Sequence, residues 1–311
     1  MSDSSFFSKW NDLLSIFKRQ PVRLVLSLLL PAILVIGIVL FTIFNLEDDK
    51  TAYSFSQSLS VPNYPETDFH SQPEESHSGQ NTTEMVDETT LEQKLTEAQK
   101  INSDVKAWLY FPGTKVDYPV LQAHDNNFYL EKNLEKKYSW WGSIFAHFRN
   151  NLSDASQLPR NTVLFGHNKD DGLMFGELLD LSELSYAKKH RYITLTLQGK
   201  TTYWEIFSVM DCEVNNEVFY YINANNPSDQ EMTDIITQAQ ERSFFDYGIE
   251  VSAQDNILTL STCTYKYTFP SGTYRDDVRF VVMARLLTDS QTFQESWPEL
   301  ELNSDRRTPK F

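Results

Sequence analysis

Two cysteines occur in the 311-residue chain, Cys212 and Cys263. Cys263 closes the run Asn256-Ile-Leu-Thr-Leu-Ser-Thr-Cys263, whose alternating side chains predict a strand that ends at the thiol. A cysteine at a strand end is held firmly and stays reachable, and a deprotonated thiol is a strong nucleophile. The commoner fate of a cysteine is burial as a small hydrophobe. A second apolar run, Asn161-Thr-Val-Leu-Phe-Gly-His167-Asn168, ends in an imidazole that can exchange a proton with a thiol or an amine. Gly166 before it lets another backbone or a substrate come close. A third, Asp276-Asp-Val-Arg279-Phe-Val-Val, opens on an arginine. A fixed guanidinium there can hold a substrate or steady an oxyanion, or it can simply pair with Asp276 or Asp277.

The elements that must position these residues are mostly strands. Runs at 107–111, 116–121, 142–146, 162–167, 192–197, 201–214, 256–263 and 278–287 carry the β-branched and aromatic residues that suit a pleated sheet. A helix is expected from Asp87, with Leu91, Leu95 and Ala98 on one face. A second follows Asn226-Pro227-Ser228, with Met232, Ile235, Ile236 and Ala239 as its apolar stripe. A shorter helical turn fits 173–181. Many short strands with few helices predict a mainly β domain, a barrel or a sandwich.

Composition removes several chemistries. A net charge of −16 with no basic patch argues against nucleic acid as a partner. The six histidines are scattered, no pair has zinc-helix spacing, and no phosphate loop is present, so no metal or cofactor is expected. Cys212 lies inside the run 201–214 and is expected to pack. A Cys212–Cys263 disulfide would remove the nucleophile, but a lone cysteine pair is a weak framework signal.

Residues 24–44 contain no charged side chain and are long enough to cross a ~30 Å hydrocarbon layer as a helix. Lys9, Lys18, Arg19 and Arg23 precede the stretch; Glu47, Asp48 and Asp49 follow it. Positive charge resists translocation, so residues 1–23 are expected in the cytoplasm and the remainder outside. The stretch is longer than the apolar part of a cleaved signal and lacks a small-residue cleavage site, which favours a retained single-pass anchor. Residues 45–86, rich in Ser, Thr, Glu, Asp, Gln and Pro, read as a disordered extracellular stalk. A catalytic domain is expected at 87–290 and a tail at 291–311.

The ordered set of His, Cys and Arg at strand ends, behind such an anchor, resembles the sortases. Thr259-Leu260-Ser261-Thr262-Cys263 matches their Thr-Leu-x-Thr-Cys signature. Similarity to class B lies in Tyr118-Pro-Val-Leu-Gln122, Asp125-Asn126-x-Phe-Tyr-Leu130, Gly142-Ser-Ile-Phe145, Phe165-Gly-His-Asn168, Asp171-Gly172-x-Met174-Phe175, Ser261-Thr-Cys-Thr-Tyr265 and Arg279-Phe-Val-Val282. The resemblance covers about 87–288. Three departures stand out: Lys266 where an acidic residue is frequent, a long Cys-to-Arg loop, and His147 where an aspartate is usual. The loop makes Arg275 a rival to Arg279.

The resemblance implies an eight-stranded sortase-type β-barrel with a few helices. It implies a cysteine transpeptidase with Cys263 as nucleophile, His167 as acid/base and Arg279 at the oxyanion, and with Asn168, Ser261 and Thr262 at the substrate. Its substrates would be secreted proteins bearing a C-terminal sorting signal, and its acceptor an amine of peptidoglycan precursor or of a pilin. The alternatives are a cysteine peptidase of the cell envelope and a non-enzymatic membrane-anchored binding domain.

Overall fold

The computed structural model describes residues 87–214, 219–288 and 298–310. The expected anchor at 24–44 and stalk at 45–86 lie outside the described residues. Among the described residues no helix is long and apolar enough to cross a membrane.

Helix α1 (Glu88–Ile101) starts where the sequence says it should. The Asp87 carboxylate accepts the backbone N–H groups of Thr89 and Thr90, which have no partner within the helix. Its buried face of Leu91, Leu95 and Ala98 packs with Trp108, Leu121 and Phe145 on the outside of the sheet. Ten strands follow: β1 (Val105–Tyr110), β2 (Asp117–Leu121), β3 (Phe145–Ala146), β4 (Asn161–Phe165), β5 (Tyr192–Leu197), β6 (Lys200–Glu213), β7 (Phe245–Asp246), β8 (Ile257–Cys263), β9 (Val278–Leu286) and β10 (Glu301–Leu302). Helix α2 (Leu184–Lys189) precedes β5 and helix α3 (Asp229–Arg242) precedes β7.

Eight of the strands close a barrel in the order β1-β2-β3-β4-β8-β9-β6-β5. The mainly β reading thus resolves into a barrel. Neighbours run antiparallel except for the parallel pairs β2/β3 and β4/β8. Side chains that point inward, among them Leu109, Leu164, Leu195, Trp204, Leu260 and Val282, fill the interior. Burying each such side chain contributes about 1.5–3 kcal/mol before the entropy of ordering it. Alternate residues of β6, β8 and β9 point outward: Met210, Ile257, Val281 and Met283 meet Met232, Ile235, Ile236 and Ala239 of α3. That helix begins in a capping box in which Ser228 and Glu231 each accept the other's backbone N–H.

Several expectations shift. The run 142–146 pairs only at Phe145–Ala146, because Gly142 turns the chain with φ +56°. The strand expected to reach His167 stops at Phe165 and leaves the histidine just beyond the sheet. The turn expected at 173–181 is a 3-10 helix over Gly176–Ser182, and α2 follows it. Beyond residue 297 the chain packs back on the domain, where β10 pairs with β7.

Candidate active site

Sheet register brings the three candidate residues together. In the parallel pair β4/β8, Phe165 lies opposite Ser261. Two further residues along each strand carry His167 level with Cys263. The Gly166 N–H donates to the Ser261 carbonyl at 3.4 Å, so the ladder continues past the end of β4. Gly166 is closely packed at that point: a Cβ would sit 2.4 Å from Ile144 Cδ1 and 2.8 Å from Phe175 Cδ2, so any side chain there would displace them. In the antiparallel pair β8/β9, Cys263 lies directly opposite Arg279, and cross-strand partners point to the same face. The strand order β4-β8-β9 therefore sets His167, Cys263 and Arg279 side by side at one end of the barrel, on its outer face.

Both cysteines are free. Cys212 is fully buried, and burial pushes its thiol up to about 12, which suits packing and not nucleophilic attack. Cys263 is partly exposed. The Asn168 side-chain amide donates to the Cys263 carbonyl at 2.9 Å and pins the backbone there. Tyr265, two residues on, has φ +53°. Burial, then the neighbouring thiol, push the Tyr265 hydroxyl above its ordinary range.

The His167 Nε2 lies 2.9 Å from the Leu130 carbonyl, and Trp141 meets the ring edge-on with centroids 6.4 Å apart. A carbonyl can only accept, so this bond places a proton on Nε2 and leaves Nδ1 as the nitrogen that can take one.

Arg279 donates to the carbonyls of Asp276 at 2.5 Å and Val278 at 3.2 Å and forms no ion pair among the described residues. Its rival is engaged elsewhere. Arg275 donates through Nε and Nη2 to both oxygens of Asp277, at 2.9 and 2.6 Å, and stacks 4.5 Å from the Phe269 ring centre. This bidentate grip holds the Asp277 carboxyl below its usual range. The guanidinium opposite the thiol and free of a carboxylate is that of Arg279.

Ser261 and Thr262 are buried, at 3 % and 2 % exposure, and the Ser261 hydroxyl meets that of Tyr221 at 3.1 Å. Asn168 is the one of the three expected substrate residues whose side chain borders an open cleft. That cleft is polar and also lined by Lys115, Lys169, Asp171, Thr264 and Tyr265. The Leu130 carbonyl, Trp141 and Tyr265 were not among the expected site residues. Only Tyr265, so near Cys263 in the chain, could have been suspected. No group of acidic, histidine or cysteine side chains among the described residues could hold a metal.

The geometry permits acyl transfer: a nucleophile, an imidazole and a fixed cation at one strand edge. A family model, the Sortase domain, matches residues 109–287. Sortase B of Listeria monocytogenes is 33 % identical over 196 residues, covering 63 % of this chain and 74 % of that protein. Sortase B of Staphylococcus aureus is 31 % identical over 189 residues, covering 61 % and 72 %. Among solved structures, a Staphylococcus aureus sortase B–substrate complex matches with a TM-score of 0.55 at 29 % identity, covering 64 % of this chain and 87 % of that one. Clostridium perfringens sortase B matches with a TM-score of 0.55 at 31 % identity, covering 62 % and 99 %. The chain belongs to the sortase family, cysteine transpeptidases that act on sorting signals in cell-wall anchoring, and its similarity within that family is to sortase B.

Proposed function

We propose that Cys263 attacks the backbone carbonyl of a Thr–Gly or Thr–Asn type bond in the C-terminal sorting signal of a secreted protein. The thiol proton passes to His167 Nδ1, the C–S bond forms, and Arg279 steadies the negative oxygen. His167 returns the proton to the leaving amine as the C–N bond breaks, which leaves a thioester on Cys263. An incoming amine attacks that thioester. His167 takes its proton and passes it to the departing sulfur, and a new amide results. The pairing of Cys263 with Arg279 across β8 and β9, with His167 level on the other side, is the observation that carries this reading.

The acceptor amine is that of peptidoglycan precursor, with a pilin amine as the second candidate. The contacts expected of Asn168, Ser261 and Thr262 with the peptide belong to the same proposal. So does the placement of the enzyme as a single-pass membrane protein, with residues 1–23 cytoplasmic, 24–44 as anchor and the catalytic domain outside. That placement puts the thiol where secreted substrates and wall precursors meet.

The test uses the full-length protein in detergent, wild type and Cys263→Ala, with peptides carrying sorting-type motifs and an amine nucleophile. Mass spectrometry reads the products. The expected result is a Cys263-dependent thioester and an amine-joined peptide. Release of free acid alone, whatever amine is supplied, marks a peptidase. No reaction with any peptide leaves a binding domain.

A further inference from the structure

The segment 264–277, which joins β8 to β9, is a small hairpin. Thr268 bridges to Tyr274, the Arg275 N–H donates to the Tyr267 carbonyl at 2.8 Å, and Phe269 and Thr273 close the tip. Its two ends run into Cys263 and Arg279, which the β8/β9 ladder holds opposite each other, and Thr264 and Tyr265 of its first arm line the polar cleft beside them, so the hairpin's orientation sets how a substrate reaches the pair.

One side chain of the barrel grips this hairpin. Asp211 lies on β6 opposite Phe280, one residue before Cys212, which in turn faces Arg279. It is 2 % exposed, and its Oδ2 accepts the Tyr267 hydroxyl at 3.0 Å. Around it the barrel end carries two aromatic rings and two cations. Phe244 and Phe280 lie 6.0 Å apart, with the Lys266 ammonium 5.3 and 5.1 Å from their ring centres and the Arg306 guanidinium 4.5 Å from that of Phe244. Burial pushes the Asp211 carboxyl above its usual range, against the pull of Lys266, the Tyr267 hydroxyl and Arg306. A carboxylate here is costly: an apolar residue of similar size would close the barrel end at less expense. Such a cost is retained where position matters more than stability.

We propose that Asp211 is a positioning residue for the acyl-transfer reaction, which through Tyr267 latches the hairpin so that Cys263 and Arg279 meet the substrate in register. The inference rests on the transpeptidase reading of Cys263. Lys266, the departure from the usual acidic residue, belongs to the same latch: its ammonium lies over the two rings at the hairpin's root.

The test compares full-length wild type with Tyr267→Phe, Asp211→Ala, Asp211→Asn and the Asp211→Ala/Tyr267→Phe double variant. Tyr267→Phe, which loses only the hydroxyl, is expected to lower kcat about tenfold with KM within about twofold, since misplacement costs turnover more than binding. Asp211→Ala should lose as much, the double variant no more than either, and Asp211→Asn, which keeps an acceptor oxygen, should retain at least half of kcat. Amide hydrogen exchange over 264–277 should quicken wherever the bond is lost. Wild-type kcat and wild-type hairpin protection in Tyr267→Phe would overturn the proposal, as would losses that add in the double variant. If Asp211→Ala does not fold, Tyr267→Phe decides alone. Failure of the wild type to join any peptide to an amine would sink the transpeptidase reading instead, and exchange and the rate of Cys263 alkylation by iodoacetamide would still decide the latch.

Discussion

Leu130 holds His167 by a backbone carbonyl 2.9 Å from Nε2, across 37 residues of sequence. That carbonyl can be where it is only because Gly142 lies against it. A Cβ on Gly142 would sit 2.3 Å from the Leu130 oxygen and 2.4 Å from the Tyr129 oxygen, at a φ of +56° that side chains rarely adopt. Gly142→Ala should therefore displace the histidine's holder. The expected outcome is a loss of kcat/KM of at least ~10-fold, since small misplacements of a reacting group cost up to ~10²-fold, together with a lower melting temperature. Gly199→Ala is the control: its φ is +85° with nothing within 4 Å, so it should lose stability and keep activity. Equal activity losses in the two variants would dissociate Gly142 from the site.

Arg279 and Arg275 sit four residues apart and differ in what they face. Arg279→Ala should lower kcat by ~10²–10³, the range for removing a group that stabilises an oxyanion. Arg279→Lys should recover only part of this, because a point charge does not reproduce the guanidinium's geometry. Arg275→Ala breaks the Asp277 pair and the Phe269 stack, both in the hairpin, and should leave kcat within about fivefold. Steady-state kinetics with a single peptide decides between them, and a larger kcat loss in Arg275→Ala would reverse the assignment.

The chemistry was legible in the sequence where a short-range pattern carries it. Cys263 and His167 end alternating or apolar runs, and the sheet register set both at one barrel end. Asn226-Pro227-Ser228 marked the start of α3. What escaped notice depends on contacts between distant segments. The grip of the Leu130 carbonyl on His167 is a backbone bond, with no side-chain signature. Asp211 lies inside the strand run 201–214 with nothing beside it in sequence to mark a role, and its partner Tyr267 is 56 residues away. The long Cys-to-Arg loop is a hairpin because Tyr267 and Arg275 pair through their backbones. The edge formed by β10 and β7 joins segments too short and too polar to read as strands.

Two histidines, one buried and one half-buried, make stability fall in mild acid. His147 is 5 % exposed and accepts the Arg149 N–H on Nδ1 at 3.2 Å; His190 lies between Tyr186 and Phe111. Burial lowers both pKa values below the ordinary 6.5, with Arg149 adding to the effect at His147. A depressed folded pKa means that the unfolded chain binds more protons. The stability is thus fully present above pH 6.5 and is lost as pH falls through the lower folded values. Denaturant unfolding at pH 7.5 and pH 5 should show a lower midpoint in acid, and the double variant His147→Gln/His190→Gln should flatten the difference. An unchanged slope in that variant would place the acid sensitivity elsewhere.

The ion pair of Glu205 and Arg285 supplies a stability test away from the site. The two are cross-strand partners on β6 and β9, and Arg285 donates through Nε and Nη2 to one Glu205 oxygen at 3.0 and 2.8 Å. Glu205 is only 1 % exposed, so removing its partner leaves a carboxylate buried among apolar strands. Arg285→Met should cost about 3–5 kcal/mol in urea unfolding, the range for breaking a buried pair from one side. Replacing both, as Glu205→Gln/Arg285→Met, should recover a large part of that loss, because the buried charge is then gone. If the double variant is as unstable as Arg285→Met, the loss comes from packing of the arginine's stem and not from the stranded carboxylate.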